Sequence, residues 1–236
     1  MTVNYVETKS YDELSEKAAK IIIEQVKKKP DSILCLAGGD TPVGTYNKMV
    51  EAAKNSEVDF SECRFVGLDE WVGLGEENEG SCISYLNRYV FNPLEIQKDH
   101  IVFFDAKSED LNSELTRVNN FVSTYGPIDL SLLGVGVNGH LGFNEPYSSL
   151  ENEAHLVDLD ETTQEVGKKY FEGAKTVNQG ISLGMKQLLD SKTVIVVANG
   201  SSKVEAIAAL KSGEYDASKT VSALNYHSNS YAILNI

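Results

Sequence analysis

The sequence predicts a single α/β domain: one doubly wound, mostly parallel sheet with helices on both faces. Three observations predict it. Short apolar runs alternate with amphipathic stretches along most of the 236 residues. Several runs (SILCLA, IDLSLLGVGV, TVIVVA) read as strands buried within a core. Polar, glycine-bearing segments follow those runs and lead into helices, where sites of open α/β sheets form.

Apolar spacing predicts a first helix in SYDELSEKAAKIIIEQVKKKP, with Ser10 or Asp12 as its cap and a basic last turn before Pro30. SILCLA is the next strand, broken by GGDTP. A helix starts at Pro42 and runs through VGTYNKMVEAAK, since proline suits a first helical turn. CRFVGL is a strand ending at Asp69-Glu70-Trp71. A polar loop (GLGEENEGS) and a helical stretch, SYLNRYVFNPL, follow. IVFF is a short strand, SEDLNSELTRVNNFVSTYG a helix and IDLSLLGVGV a strand. HLVDLD alternates like a strand, TTQEVGKKYF is helical, and ISLGMKQLLDS reads as a helix. TVIVVA, SSKVEAIAALKSG and YAILNI complete the chain as strand, helix and strand. No repeat or linker divides it, so residues 1–236 are expected to form one domain.

Composition narrows the function. Hydrophobic residues make up 42% and charged residues 24%, ordinary for a soluble globular protein. No apolar run approaches the roughly 20 residues of a membrane span. The N-terminus lacks a basic region followed by an apolar stretch, so no signal peptide is expected. Cys35, Cys63 and Cys82 lack metal-ligand spacing, and a reducing cytoplasm fits their odd count. A net charge of -14 argues against a nucleic-acid partner. It leaves room for a small anionic substrate, which needs only a local pocket of amides and one or two cations.

Four strand exits carry the candidate chemistry. GGDTP offers backbone N–H groups and a helix N-terminus to a phosphate, or is a turn in which Asp40 or Thr41 caps the helix. NGSSK repeats the theme: Ser201 or Ser202 caps a helix whose first turn holds Lys203, poorly placed for the helix dipole but well placed for a phosphate. In DEWVG adjacent side chains diverge, so one of Asp69 and Glu70 faces a pocket, where burial beside Trp71 suits a general base. In NGHLGFNEP, Glu145 can orient His140 for proton exchange near neutrality, with Asn138 beside them. No nucleophile elbow accompanies this loop, and one histidine with scattered acids makes no metal site.

GVGVNGHLGFNEP closely resembles the signature loop of glucosamine-6-phosphate deaminases, also called isomerases. LAGGDTPVGTY is similar to the family's phosphate loop, FVGLDEWVGL to its acid-bearing strand end, and ISLGMKQLL with VVANGSSKVEAI to its C-terminal portion. The resemblance covers nearly the whole chain. LDEW and the ending SALNYHSNSYAILNI resemble the bacterial galactosamine-6-phosphate branch more closely.

The resemblance implies that Asp69 moves a proton between C2 and C1 of the opened amino sugar. It implies that His140 assists ring opening with Glu145 as partner, and that Asn138 orients them. Gly38, Gly39 and Thr41 would line the phosphate loop, and Lys203 would reach the phosphate. Lys169, ahead of Tyr170-Phe171, stands where the family carries a phosphate-binding arginine, keeping the charge without the bidentate geometry. Asp40 is a further departure, since the family's loop reads closer to TGGTP. No cofactor is implied. The expected reaction turns a hexosamine 6-phosphate into a ketose 6-phosphate and ammonia. The alternatives are a 6-phosphogluconolactonase-like hydrolase on a similar fold and a non-catalytic sugar-phosphate-binding regulator.

Overall fold

Alternation along the apolar runs separates two cores. Ile33, Cys35 and Ala37 join one apolar cluster, whereas Leu34 and Leu36 between them join another. Val194, Val196 and Ala198 divide from Ile195 and Val197 in the same way. A strand whose two faces are both apolar must be covered twice, and helices cover it here. Each fully buried side chain of this size contributes about 1.5–3 kcal/mol.

The computed structural model describes residues 3–170 and 177–236. In chain order it holds β1 (Asn4–Glu7), α1 (Tyr11–Lys28), β2 (Ile33–Leu36), α2 (Val43–Lys54), β3 (Arg64–Gly67) and β4 (Asp69–Trp71). Next come α3 (Cys82–Leu86), β5 (Ile101–Val102), α4 (Leu111–Tyr125), β6 (Leu130–Gly134), β7 (His155–Asp158) and α5 (Glu161–Gly167). The chain closes with β8 (Gln179–Ser182), α6 (Met185–Leu189), β9 (Val194–Asn199), α7 (Val204–Lys211) and β10 (Ser230–Asn235). Seven strands pair in parallel in the order β1-β10-β9-β6-β2-β3-β5. Helices α1 and α2 pack on one face; α4, α6 and α7 supply the apolar residues of the other.

Helix α1 shows why the local sequence folds as it does. Leu14, Ala18, Ile22 and Val26 recur every fourth residue and are buried. Ser10 is its cap, accepting from the Glu13 N–H at 3.1 Å, and Lys27 and Lys28 sit in the last turn against the dipole.

The strand order decides where chemistry can occur. From β2 the chain builds outward to β3 and β5, then returns to the other side of β2 with β6. The order therefore reverses between β2 and β6, a topological switch point. GGDTP leaves β2 and NGHLGFNEP follows β6, one on each side of that crevice. β9 and β3 flank the pair, so all four suspect strand exits come from four adjacent strands.

Four expectations need correcting. The stretch expected as one strand from CRFVGL through DEW breaks at Leu68, because the chain leaves the large sheet there. Its continuation, β4, pairs antiparallel with β8, and β8 with β7, in a separate three-stranded sheet. ISLGMKQLLDS is not one helix: Ile181 and Ser182 lie in β8, and α6 begins only at Met185. The spacing of Ile181, Leu183 and Met185 suits a strand as well as a helix, and pairing on both sides decides for the strand. SSK is a 3-10 turn preceding α7, whose start has no side-chain cap from Ser201 or Ser202. Strand β1, mostly exposed and without an apolar run, was not expected. Phe171 lies outside the described residues. All three cysteines are free and buried. Among the described residues no helix is long and apolar enough to cross a membrane.

The junction of β4 with α3 rests on one buried carboxylate. Glu70 accepts from the backbone N–H groups of Trp71 (2.9 Å), Cys82 (3.0 Å) and Ile83 (2.9 Å). Glu70→Gln turns an amide donor toward at least one of those donors. We expect a loss of about 1–3 kcal/mol of stability, read as a lower urea midpoint at unchanged m-value.

Candidate active site

The strand exits converge on a cavity of about 590 Å³ at the carboxyl edge of the parallel sheet. Gly38, Gly39 and Thr41 line it from the loop after β2, and Asp69 from β4. Asn138 and His140 enter from the loop after β6, Lys169 from the turn after α5 and Lys203 from the turn after β9. Of the nine candidate residues only Glu145 is absent from the lining. It sits one layer behind, 6% exposed, and acts on the cavity through His140.

The NGH loop is built around that carboxylate. Oε2 of Glu145 lies 3.0 Å from His140 Nδ1 and accepts from Asn138 Nδ2 at 2.7 Å. The Asn138 side-chain oxygen also accepts from the His140 backbone N–H at 3.2 Å, closing an Asx turn. Burial alone would raise the Glu145 carboxyl, but His140, Thr163 and Asn138 outweigh it and hold it below its ordinary value. A carboxylate cannot donate, so Nδ1 of His140 carries the proton in their hydrogen bond. Nε2 is then free to exchange protons with a ligand.

Two further residues fix the loop. Asn144 is fully buried, and its amide donates to the carbonyls of Leu141 and Leu183, each at 2.9 Å. This ties the loop to the small sheet and places Glu145. A side chain at Gly136 would begin 2.2 Å from the His140 ring, so that glycine makes room for the histidine.

Asp69 faces the cavity and Glu70 turns away, as alternation along a strand requires. Burial pushes the Asp69 carboxyl up to about 6, against the smaller opposing effects of Cys82 and His140. Trp71 and Phe143, edge to face with centroids 4.7 Å apart, form an apolar wall. Two carboxylates with histidine between their roles are thus driven apart: Asp69 upward and Glu145 downward.

The opposite end of the cavity is cationic. Lys203 and Lys169 both line it, and burial together with repulsion from Lys169 lowers the Lys203 ammonium below its ordinary value. Helices α2 and α7 both begin at this end, but the first N–H groups of α2 are taken by the Asp40 carbonyl (Val43, 3.3 Å) and the Tyr11 hydroxyl (Gly44, 2.8 Å), so an anion there would meet the lysines and the loop amides. Neither the Asp40 nor the Thr41 side chain caps α2; only the Asp40 backbone carbonyl accepts from its first N–H, so the side-chain capping reading of GGDTP fails. Gly39 takes φ +88°, with its missing Cβ site 3.4 Å from the Tyr170 hydroxyl.

Sequence reasoning missed Thr163, whose hydroxyl lies 3.3 Å from His140 Nδ1 and 3.4 Å from the Asn138 amide. It sits in TTQEVG on α5, with no motif to flag it; only the folding of α5 over the cavity brings it there.

Known proteins are similar to this chain in sequence and fold. The family model for glucosamine-6-phosphate isomerases/6-phosphogluconolactonase matches residues 7–231. A glucosamine-6-phosphate deaminase of Clostridium botulinum is 38% identical over 96% of this chain and 93% of its own. One from Bacillus velezensis is 36% identical over 95% and 94%. The solved structure of a monomeric glucosamine-6-phosphate deaminase superposes at TM-score 0.95 with 32% identity, covering 99% of this chain and 97% of its own. A 6-phosphogluconolactonase of Trypanosoma brucei, at TM-score 0.79 and 19% identity, shares the fold. With the match spanning almost every element that builds the cavity, the chain belongs to the glucosamine-6-phosphate isomerase/6-phosphogluconolactonase family.

Proposed function

We propose that this protein deaminates and isomerises a hexosamine 6-phosphate, releasing a ketose 6-phosphate and ammonia. The observation that carries the reading is the buried Asp69 carboxyl, raised to about 6, in one cavity with the His140–Glu145 pair. Enolisation beside a carbonyl needs one positioned base that is unprotonated near neutrality, and Asp69 fits. Ring opening needs proton exchange at the ring oxygen and the anomeric hydroxyl, and His140 Nε2 supplies it while Glu145 stabilises the charged ring. Lys203, Lys169, Thr41 and the amides of Gly38 and Gly39 hold the phosphate, which fixes the sugar and lowers the entropic part of the barrier. Moving the C2 proton to C1 leaves an imine at C2, and water then takes the nitrogen's place at C2, so the C–N cleavage is hydrolytic and yields the ketone and ammonia.

The deaminase names belong to relatives at 36–38% identity, whereas lactonase structures at 16–20% identity support the fold alone. Lactone hydrolysis requires no base at C2, and the placement of Asp69 favours the deaminase. Ammonia release from glucosamine 6-phosphate and galactosamine 6-phosphate, measured side by side, tests the reading. Turnover of neither sugar sinks it, and a large preference for one assigns the branch.

Three outcomes follow from the geometry. With Asp69 titrating at about 6 in the free enzyme, kcat/KM should fall below that pH. Asp69→Asn should lower kcat by about 10²–10⁴-fold. The same variant should be more stable than wild type, because the raised carboxyl favours the folded state only while protonated. That stability is lost as pH rises from about 4, the ordinary aspartate value, through about 6. The gap in Tm should open over that window and persist above it.

Lys203→Ala should raise KM for either sugar phosphate by about 10–100-fold with a smaller change in kcat, a loss expected for one charge-assisted phosphate contact. Asn138→Asp sets a second carboxyl 2.7 Å from Glu145 Oε2. One of the two then keeps a proton to higher pH, and a new ionisation should enter the pH profile of kcat/KM.

A further inference from the structure

The phosphate end of the cavity contains a carboxylate that its proposed ligand would have to meet. Asp40, in the loop after β2, lines the same cavity as Lys169 and Lys203. Its Oδ2 accepts from Lys169 Nζ at 2.9 Å, and its Oδ1 accepts from the Tyr85 hydroxyl at 2.8 Å. The two contacts join three separate segments at the cavity mouth: the β2–α2 loop, helix α3 and the turn after α5. Tyr170 completes the cluster, with the Lys169 ammonium 4.5 Å above its ring and Tyr85 edge-on at 5.9 Å.

The two lysines consequently differ. Lys203 has no ion-pair partner among the described residues, whereas Lys169 has Asp40. We propose that Asp40 determines the affinity of the phosphate subsite by withholding Lys169 from it, its carboxylate standing where a phosphoryl group would pair. This rests on the reading of Lys169 and Lys203 as the phosphate cations.

The magnitudes allow exchange. The Asp40 and Lys169 side chains are 60% and 53% exposed, and exposed pairs are weak. A phosphate dianion held by Lys203 in the same cavity can compete for that lysine, but it must separate the pair and leave the Asp40 charge nearby. Asp40 therefore lowers affinity twice over, by occupying a cation and by like-charge repulsion, and the first effect is the larger. Tyr85 holds the carboxylate in place and keeps it on Lys169. Lysine rather than arginine suits this arrangement, because one compact ammonium can be handed from carboxylate to phosphate without breaking a bidentate pair. The subsite then favours a dianionic phosphoryl group over a monoanion such as a sugar carboxylate, which competes poorly with Asp40.

Calorimetric titration with inorganic phosphate tests the proposal without requiring turnover. Wild type, Asp40→Asn, Lys169→Ala and the double variant are compared in parallel, and KM and kcat are measured where ammonia release is detected. Asp40→Asn should bind phosphate about tenfold more tightly than wild type, an effect of the size expected for one charge in a partly solvated site. KM should fall in step, with kcat moving less. In the Lys169→Ala background the same substitution should improve binding by less than about twofold. Unchanged or weaker phosphate binding by Asp40→Asn overturns the proposal. A tenfold gain that persists without Lys169 also overturns it, since repulsion alone would then account for the effect. Absence of ammonia release with the expected phosphate pattern would instead sink the deaminase reading and leave this one standing.

Discussion

Burial of both faces of a seven-stranded parallel sheet is the constraint on which the rest of the structure depends. Parallel strands need crossovers, and the crossovers here are helices that must cover the apolar faces on either side. Every loop from a strand into its crossover then falls on the same edge. The chain reverses its winding between β2 and β6, which parts two of those loops and opens a crevice. Nothing in the glycine-rich segments themselves makes the cavity. It is a consequence of strand order, and the segments furnish what the order exposes.

Within the crevice, chemistry comes from giving like groups unlike surroundings. Asp69 and Glu145 are both buried carboxyls, and burial pushes both upward. At Asp69 that push prevails, because the small sheet seats it among few donors. At Glu145 the histidine, the threonine hydroxyl and an amide reverse it. One carboxyl is left with a proton affinity suited to abstraction, and the other stays charged to orient a ring. The glycine at 136 serves the same division by leaving room for the His140 ring beside Glu145.

Much of this was legible in the sequence. The apolar runs place most strands, and the four strand exits together with the family resemblance single out the nine candidates, eight of which line the cavity. What escaped did so for physical reasons. The three-stranded sheet is invisible because β4 follows β3 after one residue, and periodicity cannot show a change of partner. β8 escapes because Gln179–Ser182 is decided by neighbours on both sides and not by its own propensity. Thr163 escapes because a threonine pair on a polar helix carries no pattern to single out one hydroxyl. Strand order itself, which makes four exits into one site, is a property of long-range pairing.

The identity of residue 138 shows how far local chemistry can be argued from such contacts. Glu145 Oε2 already receives the His140 proton, and a second acceptor beside it would leave two oxygens facing each other without a donor. An amide resolves this by donating with its nitrogen to Glu145 and accepting with its oxygen from the His140 backbone. A carboxylate could make only the second of these bonds unless it kept a proton. Asparagine therefore fixes Glu145 as the anion of the site at all pH values where Asp69 can act as a base. The relay is shortened to two groups, His140 and Glu145, with the amide as the clamp that holds their geometry.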